Sequence, residues 1–164
     1  MNKALYSTGK TEWETPQEFF DMINSFFHFD VDVCATLHNA KCRKYFDKKI
    51  DGLSQPWLGN AWCNPPYGRE IGKWVEKARL CRECLDTTTV MLLPSRTDTK
   101  WIHGSVFKFA HVIFLQGRLK FKGGNSSAPF PSMLAIWGDS KDVEKKVIEL
   151  AKVLGGHAIL RDRT

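Results

Sequence analysis

A short apolar run that stops at two consecutive prolines constrains the fold of this chain most. Residues 59–63 (G-N-A-W-C) are followed by Asn64-Pro65-Pro66-Tyr67. Proline lacks a backbone N–H and fixes its own φ, so a buried strand must end here and the chain must continue in an extended turn. In an open α/β sheet, ligands bind at the carboxyl ends of the strands. The corner therefore predicts a small clamp for a flat, amine-bearing group.

The length and composition indicate one globular domain. The chain has 164 residues, of which 43% are hydrophobic, which is enough for its own core. We predict a single domain over 1–164, with a loose polar segment over 1–12. The chain has 6 tryptophans, which suit packing or stacking on bases or a cofactor. The 5 cysteines form no disulfide pattern, and no leader or long apolar span is evident, which predicts a reduced, cytoplasmic protein without membrane contact.

The distribution of charge points to a polyanionic partner. The net charge is +6, and residues 69–122 carry 11 basic and 5 acidic side chains, whereas the flanking thirds are nearly balanced. A basic surface next to a candidate site is typical of nucleic-acid binding, although a solvated lysine-rich face has the same composition.

One C-x-x-C pair, Cys81 and Cys84, could suggest a metal site. Structural zinc needs a second pair or suitably spaced histidines, and the sequence has neither. We therefore expect two thiols near the end of a helix, and no metal.

Helical and strand periodicities alternate along the chain, which is the pattern of an α/β sandwich. The first helix is predicted to start with Thr15 as its cap, Pro16 in the first helical position and Glu18 completing a capping box. Further helices are predicted over 69–85 and 139–154, and strands over 29–36, 59–63, 87–93, 111–115, 132–137 and 158–160. A polar loop over 95–100 and a flexible loop over 123–127 follow two of the strands.

The predicted strand over 29–36 contains Asp32, followed by the small residues Cys34 and Ala35. Small side chains let backbone amides approach a ligand, and the carboxylate could bind an ammonium or hydroxyl group. A solvated aspartate in a strand-end turn is the alternative.

An ordered set of short motifs is similar to one protein family. The set is Trp13-x-Thr15-Pro16, Asp32-Val33-Cys34-Ala35, Asn64-Pro65-Pro66-Tyr67, Leu93-Pro94-x-x-Thr97-Asp98-Thr99 and Gly117-Arg118-Leu119-x-Phe121. In this order it resembles the small phage-type DNA N6-adenine methyltransferases (Dam-like), over about residues 13–137. N-P-P-Y alone resembles motif IV of many amino-methyltransferases, including RNA and protein-glutamine enzymes. The first loop, D-V-C-A-T, has no glycines where F-x-G-x-G is common, and the phage-type group is similar in this respect.

The resemblance implies the fold and the cofactor. The expected fold is a single-domain α/β, Rossmann-like, S-adenosylmethionine-dependent methyltransferase fold. Its mixed sheet is flanked by helices and abbreviated between Thr36 and Asp51. S-adenosylmethionine is the implied methyl donor, with Asp32 on the methionine ammonium and Asp51 near the adenine or ribose. The full set of implied cofactor contacts is Trp13, Thr15, Pro16, Asp32, Cys34, Ala35, Asp51 and Asn64.

The resemblance also implies roles for the corner and for several basic residues. Asn64, Pro65, Pro66 and Tyr67 would be catalytic: the Asn64 side-chain oxygen and the Pro65 carbonyl accept hydrogen bonds from an exocyclic amine, and Tyr67 stacks on a flipped base. The implied DNA contacts are Arg69, Arg96, Thr99, Arg118, Lys120 and Lys122. For Arg118, a buried structural ion pair is an equal alternative.

The function implied is methyl transfer from S-adenosylmethionine to the N6 amine of adenine in double-stranded DNA, after base flipping. Alternatives are methylation of cytosine's amine, RNA or protein glutamine, or a catalytically inactive nucleic-acid-binding relative. No separate target-recognition domain is evident, which predicts short or relaxed specificity. We expect a monomer or weak homodimer in the cytoplasm of a bacterial host, encoded by a phage or prophage.

Overall fold

Seven strands form one mixed sheet in the computed structural model, which describes residues 12–85, 87–122 and 127–162. The strands are β1 (Val31–Asp32), β2 (Lys44–Tyr45), β3 (Ala61–Cys63), β4 (Thr89–Pro94), β5 (His111–Phe114), β6 (Ser132–Trp137) and β7 (His157–Ile159). Their order is β2-β1-β3-β4-β6-β5-β7, and the first four run parallel. Strand β6 is antiparallel to both β4 and β5, so β5 points in the same direction as β4.

Within the described residues, three helices and one π-helical segment pack on this sheet. They are α1 (Gln17–Phe27), α2 (Ile71–Leu85) and α3 (Lys141–Val153), with the π-helical segment over Ile102–Val106. Helix α3 begins where the Ser140 hydroxyl accepts the Val143 N–H at 3.1 Å, a side-chain N-cap. The sequence pattern did not predict the π-helical segment, because five residues are too few to show a helical period.

Alternate residues of the strands fill two cores, one on each face of the sheet. In β3, Ala61 and Cys63 join the core that includes Trp74 and Val75 of α2, whereas Trp62 joins the core that includes α1 and α3. This alternation follows from the period of two in a strand. The predicted α/β sandwich is therefore confirmed.

The carboxyl ends of the first parallel strands and of β5 meet at one edge of the sheet. The segments that leave this edge begin at Val33, Phe46, Asn64, Ser95 and Leu115. The N-P-P-Y corner lies at this edge, as the sequence predicts, because β3 ends at Cys63. We refer to it below as the carboxyl edge.

Two predicted elements near this edge were wrong in detail. The strand predicted over 29–36 is reduced to Val31–Asp32, because the Asp32 carboxylate accepts the Cys34 N–H at 3.3 Å and turns the chain. Helix α1 has Pro16, not Thr15, as its N-cap residue, and no side chain caps it, so the capping box does not form. The abbreviation expected between Thr36 and Asp51 is confirmed, since this stretch holds only the two-residue β2.

The remaining predictions about segments have mixed outcomes. The two cysteines of the C-x-x-C pair lie in the last turn and a half of α2, where Cys81 is buried and Cys84 exposed, as two ordinary helix thiols would be. Residues 1–11 of the predicted loose segment and 123–126 of the predicted flexible loop lie outside the described residues. Among the helices of the described ranges, none combines the length and apolar character needed to cross a bilayer.

Candidate active site

A cleft of about 420 Å³ lies at the carboxyl edge, beside the N-P-P-Y corner. The segments that follow β1, β2 and β3 form its walls, together with residues 12–14 before α1. Seven of the predicted site residues of the cofactor and catalytic sets line it: Trp13, Cys34, Ala35, Asp51, Asn64, Pro65 and Pro66. Two other predicted residues, Thr15 and Asp32, contact lining residues without lining the cleft themselves, and Tyr67 directly follows the lining residue Pro66 in the chain. The structure thus brings most of the predicted site together.

Asn64 has an unusual pattern of hydrogen bonds. Its amide nitrogen donates to the Trp13 carbonyl at 2.5 Å and to the Thr15 hydroxyl at 2.9 Å. Its side-chain oxygen is buried and has no hydrogen-bond partner within the described residues. A buried acceptor without a partner costs free energy, so a native protein keeps one where a ligand can use it. This oxygen is the group that the sequence predicted as an acceptor.

The buried Thr15 hydroxyl serves the corner and does not cap α1. Thr15 is 2% exposed, and its oxygen accepts the second N–H of Asn64 across 49 positions of sequence. Since α1 begins at Gln17, Thr15 lies one residue too early to cap it. Pro16, half-buried, holds the N-cap position with φ −59° and ψ 138°.

An aromatic cluster of Trp13, Tyr67, Phe121 and Phe130 covers one side of the corner. Tyr67 meets Phe121 and Phe130 edge-on, with ring centroids 6.4 and 5.5 Å apart, and Trp13 meets the same two rings at 5.4 and 5.1 Å. The Tyr67 hydroxyl donates to the Leu92 carbonyl at 2.9 Å. Burial raises the pKa of this hydroxyl well above its usual range, so Tyr67 is a neutral donor. Its predicted stacking on a base stays a prediction.

Asp32 holds the first loop in shape. It is 2% exposed, and its carboxylate accepts the Cys34 N–H at 3.3 Å and the Lys41 N–H at 3.0 Å, which closes the loop between β1 and β2 without glycines. Burial raises the pKa of Asp32 from 3.8 to about 6, although the two backbone N–H groups oppose this. Burial, and then the nearby Asp32, raises the pKa of the Cys34 thiol to about 12, so Cys34 is a neutral part of the wall. The predicted contact of Asp32 with an ammonium group stays a prediction.

The loop after β2 brings two carboxylates and one glycine to the cleft. Asp51 lies in the left-handed region with φ 56°, and its side chain is exposed. Asp47 lies two residues after the end of the short β2 and was missed, because a two-residue strand has no readable period. A Cβ on Gly52 would lie 2.0 Å from the Val33 carbonyl oxygen, so this glycine packs directly on the backbone of the first loop. Phe46 and Trp74 add apolar surface to the same wall.

Two ion pairs hold residues 12–14 over the cleft. Lys48 pairs with Glu12 at 2.9 Å and Lys122 pairs with Glu14 at 3.0 Å, both near the surface. The backbone N–H of Lys122 also donates to the Glu14 carbonyl at 3.0 Å. We call residues 12–15 the strap. The sequence did not indicate it, because the partners are distant along the chain.

The predicted DNA contacts line up along the carboxyl edge. Arg69, Arg96 and Arg118 follow β3, β4 and β5 respectively, and all three are exposed. The alternative of a buried ion pair for Arg118 is therefore wrong. Lys120 is exposed, and Lys122 lies at the rim of the cleft. Thr99 differs, since its hydroxyl donates to the Arg96 carbonyl at 2.9 Å and shapes the loop.

No group of three or more metal-ligating side chains occurs in the described ranges. The cleft offers the Asn64 amide oxygen, backbone carbonyls, four carboxylates and aromatic rings. Such groups can bind a cation and an amine, and can align one with the other.

The sequence is similar to a family of known proteins. Residues 3–152 match the sequence model of a family described as DNA N-6-adenine-methyltransferase (Dam). A DNA N-6-adenine-methyltransferase of Haemophilus phage HP1 is 30% identical over 124 residues, which are 74% of this chain and 66% of that protein. A DNA N-6-adenine-methyltransferase of Escherichia phage T1 is 29% identical over 113 residues, which are 65% of this chain and 45% of that protein. The matched stretch thus spans less than two thirds of either relative. With nearly its whole length matched by the family, the chain belongs to the DNA N-6-adenine-methyltransferase (Dam) family.

Proposed function

We propose that this chain transfers a methyl group from S-adenosylmethionine to the exocyclic N6 amine of adenine in double-stranded DNA. The observation that carries the proposal is the buried, unpartnered side-chain oxygen of Asn64 at the cleft. The names of both relatives, which are DNA N-6-adenine-methyltransferases, support the choice of adenine and DNA. Their phage origin supports an enzyme that is encoded by a phage or prophage and acts in the host cytoplasm.

The chemistry needs hydrogen-bond acceptors and not a strong base. The lone pair of an exocyclic amine is delocalised into the ring, so the nitrogen is a poor nucleophile. The Asn64 oxygen and the Pro65 carbonyl accept the two N–H groups of the amine and let the nitrogen become pyramidal. These bonds strengthen as positive charge grows on nitrogen, so they lower the barrier. The rigid corner also aligns the amine with the methyl group, which contributes further to the rate enhancement.

The residues of the cleft fit S-adenosylmethionine as the methyl donor. When bound, S-adenosylmethionine supplies an electrophilic methyl group on a sulfonium. The cleft volume of about 420 Å³ lies in the range of small-molecule sites. Phe46 and Trp74 offer an apolar wall for an adenine ring, and the carboxylates of Asp47 and Asp51 offer acceptors for ribose hydroxyls. The close contact of Gly52 with the first loop keeps the backbone compact without a glycine-rich turn.

The target base must reach a shielded atom. The Asn64 oxygen is buried, and Tyr67 packs edge-on against Phe121 and Phe130, so a base that stacks on Tyr67 would have to displace these rings. Stacking of the base on Tyr67 would then replace contacts between Tyr67 and the two phenylalanine rings. Base stacking is worth about 1–3 kcal/mol, which is comparable to the cost of unstacking. The exposed arginines along the carboxyl edge would hold the phosphates on either side.

The proposal is tested by incubating the chain with methyl-labelled S-adenosylmethionine and duplex DNA that lacks adenine methylation. The product nucleosides are then identified. We expect label on N6-methyladenine and a rate at least about 100-fold lower for Asn64→Ala. The variant loses two hydrogen bonds, each of which stabilises the fold by about 1–2 kcal/mol. It also removes an unpaired buried oxygen, which offsets this loss by about 1–2 kcal/mol. Its urea unfolding free energy should therefore stay within about 3 kcal/mol of wild type.

Label on another product, or no label at all, would change or refute the proposed function. Label on cytosine would change the target base, and label on RNA or on glutamine would change the substrate class. Binding of DNA without transfer to any of these would indicate a nucleic-acid-binding relative without turnover. Full transfer by Asn64→Ala would refute the role of the corner.

A further inference from the structure

Two groups on the strap hold the Asn64 amide in place, and one of them, the Trp13 carbonyl, sets its direction. Both N–H groups of its nitrogen are used, one by the Trp13 carbonyl and one by the Thr15 hydroxyl. A rotation of the amide by 180° would place its oxygen against the Trp13 carbonyl oxygen and lose that bond, whereas the Thr15 hydroxyl could donate to the rotated oxygen. The side-chain oxygen therefore keeps one direction, and it is the group left free to accept.

The strap is itself held in place, so its acceptors are rigid. The backbone carbonyl of Glu14 accepts the Lys122 N–H at 3.0 Å, and the carboxylate of Glu14 pairs with the same lysine. Pro16 restricts the backbone of Thr15 to extended conformations. Thr15 is also 2% exposed, so water does not compete for its hydroxyl.

We propose that Thr15 is a positioning residue for methyl transfer: its hydroxyl anchors the Asn64 amide against the strap, where the Trp13 carbonyl sets its direction, so that the side-chain oxygen faces the target amine. This inference rests on the proposed function. It also replaces the role implied by family resemblance, in which Thr15 contacts the cofactor. The reason is geometric, since the Thr15 hydroxyl binds Asn64 and Thr15 does not line the cleft.

The two roles predict different kinetics. A cofactor contact acts on the affinity for S-adenosylmethionine. An orienting contact acts on kcat at saturating substrates, because the misoriented amide loses hydrogen bonds that form in the transition state.

The test compares Thr15→Val, which removes the hydroxyl at nearly constant volume, with Thr15→Ser, which keeps it. Thr89→Val is the matched control. Thr89 is 0% exposed in β4, and its hydroxyl has no partner in the part of the chain that the structure describes. For each variant we measure kcat on duplex DNA without adenine methylation, the Kd for S-adenosylmethionine by calorimetry, and unfolding in urea.

We expect Thr15→Val to lower kcat by about tenfold, the equivalent of about 1.4 kcal/mol, with the Kd for S-adenosylmethionine within about twofold of wild type. Thr15→Ser should restore most of the rate, and Thr89→Val should leave both quantities unchanged. A wild-type rate for Thr15→Val would overturn the proposal. So would a lower affinity for S-adenosylmethionine at unchanged kcat, or a Thr15→Ser variant as slow as Thr15→Val.

A double-mutant cycle separates this inference from the proposed function. The variants Thr15→Val, Asn64→Ala and their combination are compared by urea unfolding, which needs no substrate. If the wild type methylates no DNA, the proposed function fails, and the cycle alone then decides about Thr15. Non-additivity above about twofold in the unfolding equilibrium constant upholds the orienting bond, whereas additivity overturns it.

Discussion

Replacing Asp32 by Asn should change how the stability of the protein depends on pH. Asp32 is 2% exposed, and its carboxylate accepts backbone N–H groups of Cys34 and Lys41. Burial disfavours the charged form more than these two bonds favour it, which raises the pKa of Asp32 from 3.8 to about 6. Asn cannot ionise, so Asp32→Asn removes this contribution entirely.

The direction and size of the effect follow from the two pKa values. Because the pKa in the folded state is the higher one, the folded protein binds more protons between pH 4 and 6. Stability contributed by the neutral carboxyl is thus full below about pH 4 and is lost as the pH rises through 6. The pKa values differ by about 2, which corresponds to about 3 kcal/mol. Because the unfolded chain is already partly ionised at pH 4, the unfolding free energy of Asp32→Asn minus that of wild type should rise by about 2–2.5 kcal/mol from pH 4 to pH 7.

The assay is urea unfolding of both proteins at intervals between pH 4 and 7.5. Asp21→Asn, which removes an exposed carboxylate from α1, is the control. A difference for Asp32→Asn that stays flat, or falls with pH, would refute the reasoning. Added S-adenosylmethionine tests the predicted ammonium contact, since a cation beside Asp32 would shift the midpoint to lower pH.

Two other changes test the packing behind the cleft and the aromatic cluster. Gly52→Ala should cost about 1–3 kcal/mol in urea unfolding and weaken cofactor binding, because its Cβ would meet the Val33 carbonyl oxygen at 2.0 Å. In contrast, Gly72 lies in α2, and a Cβ there would have its nearest neighbour, Trp101, at an ordinary 3.6 Å, so Gly72→Ala should stabilise the protein by up to about 1 kcal/mol. Equal changes in unfolding free energy for the two variants would contradict the packing argument. Tyr67→Phe should lose about 1 kcal/mol of stability with its hydrogen bond to Leu92. Tyr67→Ala should weaken productive DNA binding more than cofactor binding, and equal losses of both would show a structural role.

Predictions from sequence succeeded where short-range rules govern the chain. Helices α2 and α3 and strand β6 match the predicted segments closely, since their apolar periods are long enough to read. Around the cleft the same rules failed. Strands β1 and β2 have two residues each, and their loops are shaped by contacts with distant parts of the chain.

Within the candidate site, too, features set by local backbone geometry were predicted, whereas those set by distant contacts were not. The corner after β3 was readable because proline acts on its own backbone and on its neighbour. The role of Thr15 was not readable in this way. The local pattern predicted it as a helix cap, but in the fold its hydroxyl accepts a hydrogen bond from Asn64. Glu12 and Glu14 had no readable role at all, because their lysine partners lie 36 and 108 positions away.

The sequence by itself determined the α/β class, the end of β3 at Asn64 and the chemical types gathered in the candidate site. Each depends on a residue's own geometry or on a period of a few residues. Only the tertiary structure decided which partner each polar group takes: Thr15 for Asn64, the loop backbone for Asp32, and the strap over the cleft. The physical reason is that a buried polar group binds whichever donor or acceptor packing brings within about 3 Å, at any distance along the chain.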